Sequence, residues 1–147
     1  MRAIVQRVCK ASVDTDGVVL STIGIGLVAL LGVAPGDEDA DAAWMARKLV
    51  SLRIFEDEAA KMNLSLRDAD GEILLVSNFT VCADASKGNR PSFTAANYED
   101  GLRLFNRCAE ELAGLGVKPR LGKYGASMRV ALENDGPVTL ILDSRKP

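Results

Sequence analysis

The 147-residue sequence predicts an α/β fold: a single domain spanning 1–147, with a mixed β-sheet in three layers (α/β/β), about seven strands and two main helices. Three observations predict it. Residues 2–13 read as a strand with Ala3, Val5 and Arg7 on one face and Ile4, Gln6 and Val8 on the other, and two later runs, 27–33 and 73–76, are apolar almost throughout. Apolar residues recur at helical spacing in the stretches ending near Leu52 and Leu112. Two helices cannot cover both faces of so many strands, so the second face has to be covered by strands.

Arg2–Val13 reads as a strand, and Asp14-Thr15-Asp16-Gly17 as a turn into a second strand over Val18–Ile23. Leu27–Val33 follows as a strand buried on both faces. The intervening Gly24-x-Gly26 is not a dinucleotide fingerprint, because a strand follows it where that motif needs a helix. Asp37 or Asp39 caps a first helix with Ala42, Met45, Leu49 and Leu52 inward. Arg53-Ile54-Phe55 is a short strand, and Glu56–Asp70 is polar and loop-like. Glu72–Phe79 is the next strand, and Thr80–Ser92 a loop rich in Gly, Lys, Asn, Arg and Pro. A second helix runs from about Thr94 to Leu112, with Tyr98, Leu102, Phe105, Ala109 and Leu112 as its apolar stripe, and Gly114 and Gly116 ending it. Val130–Leu132 and Val138–Leu142 are two last strands flanking a turn-forming Asn134-Asp135-Gly136-Pro137.

Composition narrows the chemistry. Hydrophobic residues make up 48% and charged residues 26%, an ordinary globular balance. No stretch has the length of a helical membrane span, and the opening residues meet charge again at Arg7, unlike a secretory signal; a cytoplasmic protein is the expectation. Cys9, Cys82 and Cys108 have neither the number nor the spacing of a disulfide framework or a zinc site, so mostly buried free thiols are expected. There are no histidines, which removes the Ser-His-Asp and Cys-His schemes and the usual zinc hydrolase sites. No metal and no cofactor is expected. The net charge is −2, yet Leu112–Leu132 holds four cations and no acid, and Asp84–Glu99 encloses only Lys87 and Arg90. A one-sided basic face of this kind holds phosphates locally, and the same residues also suit an ordinary solvated surface.

Three stretches carry candidate chemistry. Ser77-Asn78-Phe79-Thr80 sits where an apolar strand runs out into a loop, a common ligand position and equally a place where hydroxyls close backbone hydrogen bonds. Lys87 and Arg90 precede a helix start, suited to phosphate or to solvent. Gly136-Pro137 is a rigid turn, or, with a cis bond, a device that points successive carbonyl oxygens together as an acceptor site for an ammonium group.

Taken in order along the chain, these stretches resemble the D-aminoacyl-tRNA deacylases. Ser77-Asn78-Phe79-Thr80-Val81 resembles that family's S-Q-F-T-L motif, and Asn134-Asp135-Gly136-Pro137-Val138-Thr139 matches its N-x-G-P-[VF]-T motif. Gln6-Arg7-Val8, Arg53-Ile54-Phe55, Lys61-Met62-Asn63 and Arg90-Pro91-Ser92-Phe93 extend the likeness over the whole chain. Two departures stand out: Asn78 where the family usually has Gln, and Ala60 where a Gly commonly precedes Lys-Met-Asn.

The resemblance implies a homodimer that hydrolyses the ester of D-amino acids, and of glycine, on the 3′ end of aminoacyl-tRNA while rejecting L-amino acids. It implies a cis Gly136-Pro137 that enters the partner subunit's site, binds the substrate ammonium group and is steadied by Arg7. It places Ser77, Asn78, Phe79 and Thr80 at the catalytic centre, with the RNA 2′-OH assisting the chemistry and backbone N–H groups near Phe79 and Thr80 binding the oxyanion. Lys87 and Arg90 are then expected on tRNA phosphates. The rival expectation is a non-catalytic nucleic-acid or amino-acid binding module on the same fold.

Overall fold

The computed structural model describes residues 1–146. Its elements are β1 (Arg2–Thr15), β2 (Val18–Ile23), β3 (Gly26–Gly32), α1 (Asp39–Ser51), β4 (Phe55–Glu56), β5 (Met62–Leu64), β6 (Glu72–Ser77), β7 (Ala83–Asp84), β8 (Ser92–Phe93), α2 (Tyr98–Gly114), β9 (Arg120–Leu121) and β10 (Arg129–Asp143). The main sheet has the order β10-β1-β3-β6-β9, with β2 paired to β1. β1 runs antiparallel to β10, β2 and β3, whereas β3, β6 and β9 are mutually parallel.

The apolar runs of β3 and β6 are explained by burial on both faces. Leu27, Ala29, Leu31, Ile73 and Leu75 join the core under α1 and α2, while Val28, Leu74 and Val76 join a second core on the opposite face. That opposite face is covered by strand, as expected, because β1 changes sides. Ala3 and Val5 face the helices, but Val8, Ala11 and Val13 face the second core. The reversal occurs where Val8 pairs with Asn134 and Lys10 with Glu133, leaving Cys9 as one extra residue. An extra residue of this kind bends a strand and shifts which side chains point inward. Cys9 is accordingly exposed, while Cys82 and Cys108 are buried, so the free thiols are mostly buried as expected.

α1 begins with a capping box between Glu38 and Asp41, and α2 with the Asn97 side chain accepting from the Asp100 N–H. The stripe of α2 differs from the expectation at its start. Gly101, Leu104 and Cys108 are buried with Phe105, Ala109 and Leu112, whereas Tyr98 is exposed. Tyr98 instead packs edge-on against Tyr124, whose hydroxyl occupies the space a side chain at residue 101 would need.

The C-terminal strands also differ from the expected hairpin. Residues 129–143 form one strand, and Asn134–Val138 is a wide bulge within it. Gln6 pairs with Thr139 and Val8 with Asn134, so Arg7 alone stands opposite Asp135, Gly136, Pro137 and Val138. The proline is tolerated because its missing N–H falls where the ladder is already interrupted. The expected cis Gly136–Pro137 bond is not found: there is no cis peptide among the described residues. The bend is made instead by Gly136, at φ +109°, a region open to glycine and closed to most other residues.

Candidate functional site

A cavity of about 730 Å³ opens where β3 and β6 end. Ser77, Asn78 and Phe79 form one wall; Ala95, Ala96 and Tyr98 lead into α2 on another; Tyr124, Gly125 and Met128 close a third. Leu30, Val76, Val130 and Leu132 make the rest of the surface apolar. Among the described residues lining it there is no carboxylate, amine or thiol. Two phenols, Tyr98 and Tyr124, are its weakly acidic groups, and burial, with Tyr98 beside it, raises the Tyr124 phenol above its ordinary value.

The wall at 77–79 is held by β3. The Asn78 N–H donates to the Leu31 carbonyl at 2.8 Å, which continues the β3–β6 pairing by one residue. Gly32 allows the following 3-10 turn, Phe79–Cys82, to fold back here: a Cβ at Gly32 would lie 2.7 Å from Cys82 Sγ and 3.0 Å from the Asn78 carbonyl. Asn78 caps this turn. Its Oδ1 accepts from the Thr80 N–H at 3.1 Å and from the Thr80 hydroxyl at 2.5 Å. The Phe79 N–H, at the start of the turn, has no acceptor among the described residues. Of the two backbone donors expected here, one is therefore free and the other is engaged by the residue that departs from the family pattern. Thr80 lies on the exposed rim next to the cavity wall.

Arg7, Gly136 and Pro137 form a second cluster that does not line this cavity. Arg7 is 3% exposed. Its Nη1 donates to the Ile54 carbonyl at 2.5 Å, Nη2 lies 3.6 Å from Glu56, and Nε lies 2.9 Å from Asp135 without the alignment of a hydrogen bond. A Cβ on Gly136 would come within 2.8 Å of Arg7 Nη2, so a side chain there would push the buried guanidinium aside, and the φ of +109° favours glycine independently. Lys87 and Arg90 are exposed in the β7–β8 hairpin loop, and neither forms an ion pair among the described residues.

Sequence reasoning brought Ser77–Thr80 together and paired Arg7 with Gly136-Pro137. It missed the cavity's far wall. Tyr124-Gly125 lies in the acid-free stretch noted for charge, but only the fold carries that stretch back against β6, through the Gly122 N–H to Leu75 carbonyl bond at 3.1 Å.

A family model described as D-Tyr-tRNA(Tyr) deacylase matches residues 4–143. D-aminoacyl-tRNA deacylases of Thermoanaerobacter sp. (strain X514) and Caldicellulosiruptor saccharolyticus (strain ATCC 43494 / DSM 8903 / Tp8T 6331) are 50% and 54% identical over 147 residues, covering 99% of this chain and of each relative. The solved structure of a c-Myc DNA Unwinding Element Binding Protein superposes with a TM-score of 0.91 at 41% identity, over 97% of this chain and 98% of that one. A probable eukaryotic D-amino acid tRNA deacylase shares the fold at a TM-score of 0.79 and 16% identity, over 96% of this chain and 97% of that one. With the family model matching residues 4–143 and relatives about half identical over the full length, the chain belongs to the D-aminoacyl-tRNA deacylase family, hydrolases of the aminoacyl-tRNA ester.

Proposed function

We propose that this chain, as one deacylase domain over 1–147, hydrolyses the ester that joins a D-amino acid or glycine to the 3′ end of tRNA, and leaves L-aminoacyl-tRNA intact. The observation that carries this reading is the character of the cavity. It is large enough for a nucleoside bearing an ester, and it has a free backbone donor at Phe79. No group in it has the proton affinity of a general base at neutral pH. Catalysis then rests on positioning and on the N–H dipole at the developing oxyanion. The proton traffic falls to the 2′-OH of the terminal ribose and to water. Water supplies the hydroxyl of the released acid, and the proton ends on the tRNA 3′-oxygen.

Selection against L-substrates is assigned to Gly136-Pro137 of a second copy, entering this cavity in a cytoplasmic homodimer. Support comes from the bulge, which displaces four residues from the β10 ladder and is braced from behind by Arg7. Lys87 and Arg90 are assigned to tRNA phosphates. The alternative, a binding module without catalysis, takes its support from the structural relative named for DNA binding.

One experiment separates these readings: deacylation of matched D- and L-aminoacyl-tRNA, repeated with a 2′-deoxy terminal adenosine. Hydrolysis confined to the D-ester and lost on 2′-deoxy substitution is the expected result. Binding without hydrolysis of either ester favours the module, and full activity on the deoxy substrate removes the RNA from the mechanism.

A further inference from the structure

Two phenylalanines stand in solvent beside the cavity. Phe79 is 58% exposed and Phe93 is 52% exposed, and their rings meet edge to face with centroids 5.3 Å apart. Burial of aromatic surface is strongly favourable, so a rigid exposed pair of this kind marks a surface that something covers. The pair is not loosely held. Phe93 is fixed in β8 opposite Ala83, and Thr94 behind it donates its hydroxyl to the Cys82 carbonyl at 3.0 Å. Phe79 belongs at once to this pair and to the cavity wall. The loop between β7 and β8 carries Lys87 and Arg90, exposed and without acidic partners among the described residues. The hairpin's own acid, Asp84, is occupied in accepting from the Ser86 N–H at 2.9 Å.

An aromatic platform beside a cationic loop is the arrangement that binds single-stranded nucleic acid: bases stack on the rings while cations follow the phosphates. We propose that Phe93, held against Phe79, is a stacking platform for a base of the single-stranded RNA just upstream of the terminal nucleoside, which makes Phe93 a determinant of preference for whole tRNA over an isolated aminoacyl nucleoside. The inference rests on the deacylase reading above. It adds a subsite outside the cavity, continuous with it through Phe79 and contiguous with the cations of the loop. Phe93 acts there through binding and takes no part in the ester chemistry.

The test compares Phe93→Ala and Phe93→Trp with the unaltered protein on two substrates, D-aminoacyl-tRNA and the 3′-D-aminoacyl ester of adenosine. Loss of one stacked base lowers binding by about 5- to 150-fold. The advantage in kcat/KM of tRNA over the adenosine ester is therefore expected to fall by a factor in that range in Phe93→Ala, and to be kept in Phe93→Trp. Equal losses on both substrates would mean a structural role and overturn the proposal. An unchanged ratio would do the same, and so would a shift in sedimentation that makes the pair a contact between copies. Anisotropy of labelled, uncharged tRNA supplies a readout without turnover. If the unaltered protein hydrolyses neither ester, the deacylase reading fails; weaker tRNA binding by Phe93→Ala would still uphold the platform, and unchanged binding would remove it.

Discussion

The side-chain amide of Asn134 donates across the strand pair to the Arg7 carbonyl at 2.9 Å and along its own strand to the Val138 carbonyl at 3.1 Å. One nitrogen thus closes both ends of the bulge that presents Gly136-Pro137. Asn134→Ala removes both bonds and leaves two half-buried carbonyls to find other donors, a loss of about 1–3 kcal/mol. Asn134→Asp is expected to be worse, because it sets a carboxylate oxygen against two carbonyl oxygens. Urea unfolding midpoints checks the order native, Ala, Asp. A neutral Asn134→Asp would show that the bulge is held by other means.

Gly136 and Arg7 make the next expectation. Gly136→Ala meets both a φ of +109° and a contact of 2.8 Å to Arg7 Nη2. Backbone strain of this kind costs about 1–3 kcal/mol, and the new methyl also displaces the guanidinium. Arg7→Lys keeps the charge but cannot reach the Ile54 carbonyl, Glu56 and Asp135 together from one ammonium. Both variants are expected to lose D-aminoacyl-tRNA hydrolysis more steeply than stability, with circular dichroism melts as the control. Equal activity at equal protein concentration would detach the bulge from function.

The Thr80 N–H is engaged by Asn78 and cannot bind an oxyanion without breaking that cap, and the Thr80 hydroxyl donates to the Asn78 amide oxygen, which is too weak a base to take its proton and activate it as a nucleophile. Thr80→Ala is therefore expected to retain at least about a tenth of kcat. Loss of a true oxyanion donor or nucleophile costs about a hundredfold or more, and a drop of that size, or a trapped acyl group on Thr80, would reverse the assignment.

Much of this was legible in the sequence where local pattern and tertiary environment agree. β3 and β6 are apolar because both their faces are buried, and α1 shows its inward positions in plain view, although its cap falls at Glu38 between the expected Asp37 and Asp39, where Glu38 and Asp41 close a capping box. The motif at 77–80 is visible because a strand end is a local event. The β10 bulge was misread as a hairpin because Asn-Asp-Gly-Pro has turn composition, while the strand that runs past it, β1, lies over 120 residues away in the chain, as the Asn134–Arg7 separation of 127 shows. The same applies to Tyr98. Its spacing fits the helix stripe, but the Tyr124 ring that draws it outward arrives from a loop whose path no local pattern records.

Cys108 gives a pH dependence with a definite sign. Burial pushes its thiol up to about 12 from an ordinary value of 9.0. Between these values the unfolded chain has released its proton and the folded chain has not, so the unfolded state binds fewer protons and stability falls as pH rises. Below about 9 the thiol contributes no slope. Cys108→Ala is expected to remove part of the stability loss between pH 9 and 12. An identical pH slope in native and variant proteins would place the loss elsewhere. Thiol labelling offers a companion measurement, with Cys9 reacting in the native state and all three cysteines after unfolding.

Lys87 and Arg90 make the salt dependence of tRNA binding testable residue by residue. Each is exposed and lacks an acidic partner among the described residues, so replacing it removes no internal ion pair and leaves the fold's stability unchanged. The fold's net charge of −2 offers no general attraction for RNA, so attraction must come from local clusters such as this loop. Each single-stranded phosphate contact steepens the plot of log affinity against log salt by about 0.7. Lys87→Ala and Arg90→Ala are each expected to flatten that slope by about this amount, and the double variant by about twice as much. Lys87→Arg should preserve it, because a phosphate contact of this kind needs charge more than shape. The same slope in the double variant and the unaltered protein would leave the loop an ordinary solvated surface, and would move the phosphate contacts to the acid-free segment that holds Lys118, Arg120, Lys123 and Arg129.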